Sequence, residues 1–179
     1  RTEEFQASVH GRDHMNVAEL ACDPEGRILA LKVNTLANTG AYLINPALLI
    51  PLGLMSKVIT SVYDIPAIYL ETRCILTNTA PIGAYRGAGR PEGIYPMERL
   101  IDMTAREMGI DPVIMRRRNL IRTENLPYTT HAGEVYESGN FKEVLEQTVK
   151  LMDWDGFGSR KAESQKRGLL RGRGLACYI

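Results

Sequence analysis

Gly83-Ala84-Tyr85-Arg86-Gly87-Ala88-Gly89-Arg90-Pro91-Glu92 packs three glycines and two arginines into its first eight residues. Glycine permits positive φ and lets backbone approach a ligand closely. A proline near the first turn, with an acid just after it, marks a helix start. Downstream, Ile94, Met97, Ile101, Ala105 and Met108 recur at helical spacing, and Gly109 supplies the stop. The stretch reads as a tight turn feeding a helix. A helix N-terminus flanked by arginines is a ready anion site, so the segment is a candidate cradle for a phosphate-bearing or otherwise anionic ligand. A plain surface turn before a helix accounts for the same residues equally well.

On either side of this turn the chain has two textures, which together predict an α+β fold. Residues 1–80 are strand-rich. Residues 5–10 and 15–22 alternate or run apolar, Asp23-Pro24-Glu25-Gly26 is a turn signal, and 27–36 resumes a strand, giving a hairpin. Residues 41–54 fit a short helix or an apolar loop. Residues 57–62 and 67–77 are rich in β-branched and apolar side chains and read as strands. Residues 81–93 form the loop and 94–154 the helical part. There Asp111-Pro112 caps a second helix running to about Ile121, and Asn140 caps a third over 141–152, with a loop-like stretch between. Residues 155–179 read as an exposed linker or frayed helix followed by the start of another strand.

Bulk properties narrow the function. The 179 residues carry 22 Lys and Arg against 21 Asp and Glu, a balance unlike that of a nucleic-acid binder. Cys22, Cys74 and Cys177 are far apart and no CxxC or His/Cys cluster occurs, so no metal-ligand set is expected. Free thiols suit a reducing compartment. The apolar stretch 41–55 is interrupted by Asn45, Pro46 and Pro51, so no membrane span is expected. The chain opens on Arg1 and closes on an apolar run that reads as a strand cut midway, which suggests an internal fragment of a longer polypeptide.

The segment Ala84-Tyr85-Arg86-Gly87-Ala88-Gly89-Arg90-Pro91-Glu92 resembles the active-site loop of the molybdopterin-binding large subunits of the xanthine dehydrogenase, aldehyde oxidase and carbon monoxide dehydrogenase family, and is closest in form to its carbon-monoxide-dehydrogenase-like members. Arg1-Thr2-Glu3-Glu4-Phe5, His10-Gly11-Arg12-Asp13-His14, Asn38-Thr39-Gly40-Ala41-Tyr42 and Tyr63-Asp64-Ile65-Pro66 are similar to family segments that precede the loop. Glu98-Arg99-Leu100-Ile101-Asp102, Asp111-Pro112 and Arg117-Arg118-Asn119-Leu120-Ile121 are similar to segments that follow it.

The resemblance implies a fragment of a molybdenum hydroxylase that adds water-derived oxygen to an aldehyde or N-heterocycle and contributes one wall of the molybdopterin site. It implies a molybdenum–pterin dinucleotide in the cytosine form, iron–sulfur (2Fe–2S) and FAD subunits as partners, a small-molecule substrate and a cytoplasmic location. It assigns cofactor binding to Tyr85, Arg86, Gly87, Ala88 and Gly89. The family's general-base glutamate lies in a motif these residues lack, so no catalytic base is named and the fragment alone is expected to be inactive. A non-catalytic member serving assembly is the alternative.

Arg86 carries the strongest expectation, because a planar, permanently charged fork suits a place against a pterin. Gly87 stands where true carbon monoxide dehydrogenases carry a copper-holding cysteine, so a thiolate-held copper is not expected. Ala88 and Leu54 stand where the aromatic and cationic groups of purine oxidisers fall, which speaks against xanthine. Arg90 could reach a phosphate or a neighbouring acid, and Glu92 is read as favouring the helix start electrostatically. His10 and His14 are read as solvated, Trp154 as a packing anchor, and Arg116-Arg117-Arg118 as a solvated or subunit-facing patch.

Overall fold

The computed structural model describes residues 2–179, and Arg1 of the first quoted motif lies outside them. The predicted hairpin forms as β1 (His14–Cys22) and β2 (Ile28–Gly40), joined through the turn that Gly26 makes possible at φ +82°. β1 pairs antiparallel with β2, and β3 (Ile68–Leu76) pairs parallel on the other side, giving the order β1-β2-β3. Alternation decides which face is covered. Leu31, Val33, Thr35, Ala37 and Thr39 of β2 point into the protein, and Ala18, Leu20 and Cys22 of β1 pack beside them.

A parallel pair requires a crossover. Residues 41–67 supply it, through a π-helical turn (Ile50–Leu54) that runs into α2 (Met55–Val58). This corrects the strand expected over 57–62. A short apolar, β-branched run reads the same in a buried helical turn as in a strand. Here Val58, Ile59 and Val62 are buried against α3 (Arg90–Glu107) rather than in the sheet. The strand expected at 5–10 is likewise replaced by α1 (Thr2–Ala7), whose Glu3 and Glu4 favour a helix start.

The second half is helical as expected, though α3 starts at Arg90, so residues 90–93 belong to the helix and not to the loop. Pro96 lies inside α3, buried, without breaking it. α4 (Pro112–Asn119) is capped by Asp111, which accepts from the N–H groups of Val113 (2.8 Å) and Ile114 (3.3 Å). Asp111 also accepts from the Trp154 indole at 3.0 Å, and the Arg173 guanidinium lies 3.7 Å from the Trp154 ring centre. Asn119 stitches α4 to the hairpin, accepting from the Ile28 N–H (2.8 Å) and donating to the Gly26 carbonyl (2.8 Å). The stretch expected to be loop-like holds a 3-10 turn (Thr123–Asn125) and a small hairpin, β4 (Tyr128–Thr129) with β5 (Val135–Tyr136).

α5 (Phe141–Leu151) has its Asn140 cap, and of the linker or frayed helix expected after it the helix forms, as α6 (Phe157–Lys166). No helix among the described residues is long and apolar enough to cross a membrane. The final strand does not form. Leu175, Cys177 and Ile179 alternate toward the core as in a strand, but the backbone is held by side chains. Ser61 Oγ donates to the Cys177 carbonyl (3.2 Å) and Arg116 Nη2 to that of Leu175 (2.8 Å).

The arginine run needs the largest correction. Arg116 is fully buried, not solvated. Its Nε and Nη2 donate to Glu98 Oε2 at 3.0 and 2.7 Å, and its Nη1 to Asp102 at 2.8 Å. Glu98 Oε1 accepts from the hydroxyl of Tyr63, also fully buried, at 2.6 Å. Burial alone would push the Arg116 pKa down. Glu98 foremost, together with Tyr63 and Asp102, more than offsets this, so the guanidinium is held charged well above its ordinary value. Burial and Glu98 together push the Tyr63 pKa well up, keeping it a neutral donor. Arg117, paired with Glu146, and Arg118, which donates to the Glu25 carbonyl, are the exposed members.

Candidate functional site

The glycine-rich turn is built on close approach. Gly87 has φ +93° and Gly89 φ +89°, with Ala88 at φ +20° between them. A Cβ on Gly89 would lie 2.6 Å from Leu54 Cβ and 2.7 Å from both the Leu54 carbonyl carbon and the Met55 nitrogen. The turn therefore rests directly on the end of the π-helical turn, which puts Leu54 under the loop. A Cβ on Gly87 would lie 2.9 Å from the Pro91 ring and 3.1 Å from the Tyr178 hydroxyl.

The approach to the turn is pinned to the sheet by backbone and by Asn38. Ile82 N donates to the Thr39 carbonyl (3.2 Å), Gly83 N to that of His10 (2.8 Å), and His10 N to that of Pro81 (3.0 Å). Asn38 Oδ1 accepts from Gly40 N (2.8 Å) and Thr77 Oγ1 (2.7 Å), while its Nδ2 donates to Asp13 Oδ2 (2.7 Å). The Asn38-Thr39-Gly40 motif is thus the anchor of the loop.

Within the turn, Ala88 N donates to the Tyr85 carbonyl (2.8 Å) and Arg90 N to that of Gly87 (3.0 Å). Glu92 closes the start of α3, Oε2 accepting from Gly89 N at 2.8 Å, a specific cap as well as a favourable charge. The N–H groups of Tyr85, Arg86 and Gly87 meet no acceptor among the described residues. Arg86 and Tyr85 are exposed, and the Arg86 guanidinium makes no ion pair among the described residues. Arg90 is also exposed and meets no acid there. All five residues expected to bind cofactor therefore fall in one turn, packed tightly at Gly87 and Gly89, with donors unused among the described residues.

Arg12 was not singled out from sequence. Arg12 Nη2 donates to the Arg86 carbonyl, and its guanidinium stands 4.6 Å from the centre of the Tyr85 ring. Its Nε lies 3.5 Å from Glu92 Oε1. Only the neighbourhood of Arg12 was visible in sequence, in the His10-Gly11-Arg12-Asp13-His14 motif. His14 corrects the solvated reading, because its Nδ1 is buried with no partner. Burial lowers its pKa, against an opposite pull from Glu92 and Asp13. His10 stays exposed. No group of three or more His, Cys, Asp or Glu side chains gathers to hold a metal among the described residues.

The three-stranded mixed sheet backed by helices, with a glycine turn at the N-terminus of a long helix, matches a known class of cofactor-binding domain. The model of the molybdopterin cofactor-binding domain matches residues 1–120, and the chain belongs to that family, in the molybdenum-binding large subunits of xanthine dehydrogenase, aldehyde oxidase and carbon monoxide dehydrogenase type. It is 33% identical to the nicotine 6-hydroxylase large subunit of Paenarthrobacter nicotinovorans over 100% of this chain and 22% of that protein. It is 34% identical to the carbon monoxide dehydrogenase large chain of Hydrogenophaga pseudoflava over 90% of this chain and 20% of that protein. The crystal structure of quinoline 2-oxidoreductase from Pseudomonas putida 86 superposes with a TM-score of 0.86 and 34% identity, covering 93% of this chain and 21% of that one. The chain spans about a fifth of the length of these relatives.

Proposed function

We propose that the chain forms one wall of a molybdopterin site in a molybdenum hydroxylase that adds water-derived oxygen to an aldehyde or N-heterocycle. The observation that carries this reading is the turn at residues 85–89. Its glycines let the backbone pack directly on Pro91, Tyr178, Leu54 and Met55, and three N–H groups and the Arg86 guanidinium stand without partners among the described residues. Those features fit an anionic pterin dinucleotide, so Tyr85, Arg86, Gly87, Ala88 and Gly89 would hold it. When bound, the group supplies the two-electron redox chemistry, and the chain supplies orientation and charge. Arg86 offers a fork of donors, and the exposed Tyr85 ring offers a face.

The buried carboxylates of α3 are not free for proton transfer. Glu92 is engaged with Gly89 N and Arg12, and Glu98 with Arg116 and Tyr63. Neither is read as the general base, which the family resemblance puts in a motif these residues lack. Leu54, seated against Gly89, donates no hydrogen bond, which speaks against a purine. The nicotine and quinoline enzymes among the relatives favour an N-heterocycle. The cytosine form of the dinucleotide, 2Fe–2S and FAD subunits as electron acceptors and a cytoplasmic location complete the reading.

The test uses the full-length subunit in its complex. Metal analysis and pterin extraction should return molybdenum and a pterin dinucleotide, and a panel of N-heteroaromatics, aldehydes, xanthine and carbon monoxide should favour the first two. Arg86→Ala and Arg86→Lys should both lose most of the pterin and the turnover, since a point charge does not replace a fork. A fully matured complex without pterin, or near-normal turnover in Arg86→Ala, overturns the proposal.

A further inference from the structure

Arg12 lies 74 residues before Arg86 in the chain, yet it grips the turn at both ends. Its Nη2 takes the Arg86 carbonyl, its guanidinium covers the Tyr85 ring at 4.6 Å, and its Nε faces Glu92 Oε1 at 3.5 Å. The other Glu92 oxygen holds Gly89 N. The backbone of Arg12 sits at φ +61°, a left-handed conformation strained for a residue with a side chain. Gly11 permits the approach, since a Cβ there would meet Tyr85 Cβ at 2.5 Å. The segment itself is fixed through the His10 bonds to Pro81 and Gly83 and by Asn38 N donating to the Asp13 carbonyl at 2.9 Å.

Peptide geometry turns this grip into an orientation. In a trans peptide the carbonyl and the following N–H point in opposite directions. A carbonyl of Arg86 drawn toward Arg12 therefore aims the N–H of Gly87 away from Arg12. That N–H is one of the donors with no acceptor among the described residues. We propose that Arg12 is a positioning residue for the turn. Through the Arg86 carbonyl it sets the direction of the Gly87 N–H, and through Tyr85 and Glu92 it fixes the two ends, so that the free donors and the Arg86 side chain face one bound anionic group together. Lysine cannot do this, because it lacks the planar fork that reaches a carbonyl and a carboxylate at once.

The proposal rests on the cofactor reading above, and its test separates the two. In the full-length complex, Arg12→Met and Arg12→Lys are compared with the wild type. Amide exchange at Ala88, Gly89 and Arg90, whose N–H groups are bonded within the turn, reports loop order without any turnover. Pterin retained after dialysis, the molybdenum EPR signal and separate kcat and KM values report the site. Arg12→Met should speed exchange in the turn, alter the EPR signal, and lower pterin retention or kcat by roughly 10–100-fold, the usual range for an outer-shell partner. Arg12→Lys should recover only part. Exchange, EPR signal and kcat all within about two-fold of the wild type in Arg12→Met would overturn the proposal. Faster exchange in the variant of a complex whose wild type holds no pterin would overturn the cofactor reading while supporting the clamp.

Discussion

Replacing Gly89 by alanine tests the architecture of the turn with a magnitude the structure supplies. Two costs add. At φ +89° and ψ −32° the residue lies outside even the left-handed helical region open to other residues, a strain of order 1–3 kcal/mol. The new Cβ would also sit 2.6–2.7 Å from Leu54 and Met55 atoms, two of them backbone, which no rotamer change relieves. Overpacking of this kind costs about 1–3 kcal/mol, so the expected total is about 2–6 kcal/mol. Gly109, which ends α3, is the internal control. It has φ +67° but nothing within 4 Å of an added Cβ, so Gly109→Ala carries strain alone. Native-state amide exchange in the full-length subunit reads the local opening of each end of α3. Gly89→Ala should loosen the first turn by at least about 2 kcal/mol, roughly thirty-fold in exchange, and by more than Gly109→Ala loosens the last turn. Equal effects would show that the contact with the π-helical turn is not tight, and the glycine-walled cradle would lose its basis.

Arg116→Met should destabilise the subunit by about 3–5 kcal/mol, because Glu98 would stay buried without its cation. Adding Glu98→Gln should recover part of that loss, and purely additive losses in denaturation would refute the coupling. His14 should give a pH dependence. Its folded pKa lies below the ordinary 6.5, so the unfolded chain binds the extra proton first. Stability is then full above about 6.5 and falls as pH drops toward the folded value. His14→Asn should flatten the stability profile below about pH 6.5, and an unchanged slope would exclude His14 as the source.

The parts of the fold visible in sequence are those encoded locally. Asp23-Pro24-Glu25-Gly26 announces a turn wherever it occurs, and Asp111-Pro112 and Asn140 cap their helices with their own side chains. The turn at 83–92 was legible for the same reason, since glycine spacing and the Pro-Glu signal act over a few residues. What could not be read depends on distant partners. Residues 57–62 are a buried helical turn because α3 covers them, and the sequence pattern alone allows a strand. Arg116 looks like its neighbours Arg117 and Arg118 until α3 brings Glu98 and Asp102 against it. The strand expected at the end has the right alternation but meets no strand among the described residues, and side chains of Ser61 and Arg116 take its carbonyls instead. Arg12 acts across 74 residues and leaves no local trace of its role.

The same geometry bears on metal chemistry at the turn. A copper ion held beside molybdenum needs a soft thiolate, and the absence of sulfur at residue 87 is a compositional argument that one substitution could reverse. The backbone adds a second argument that such a substitution does not reverse. Gly87 sits at φ +93°, and any Cβ there meets the Pro91 ring at 2.9–3.0 Å and the Tyr178 hydroxyl at 3.1 Å. Pro91 cannot yield easily, because it occupies the first turn of α3, whose start is fixed by Glu92 on Gly89 N and by Gly89 against Leu54. A cysteine at this position would first have to displace the helix start that orients the remaining donors. The turn is shaped around glycine, and this favours a site that uses residue 87 for its backbone N–H and not for a side chain.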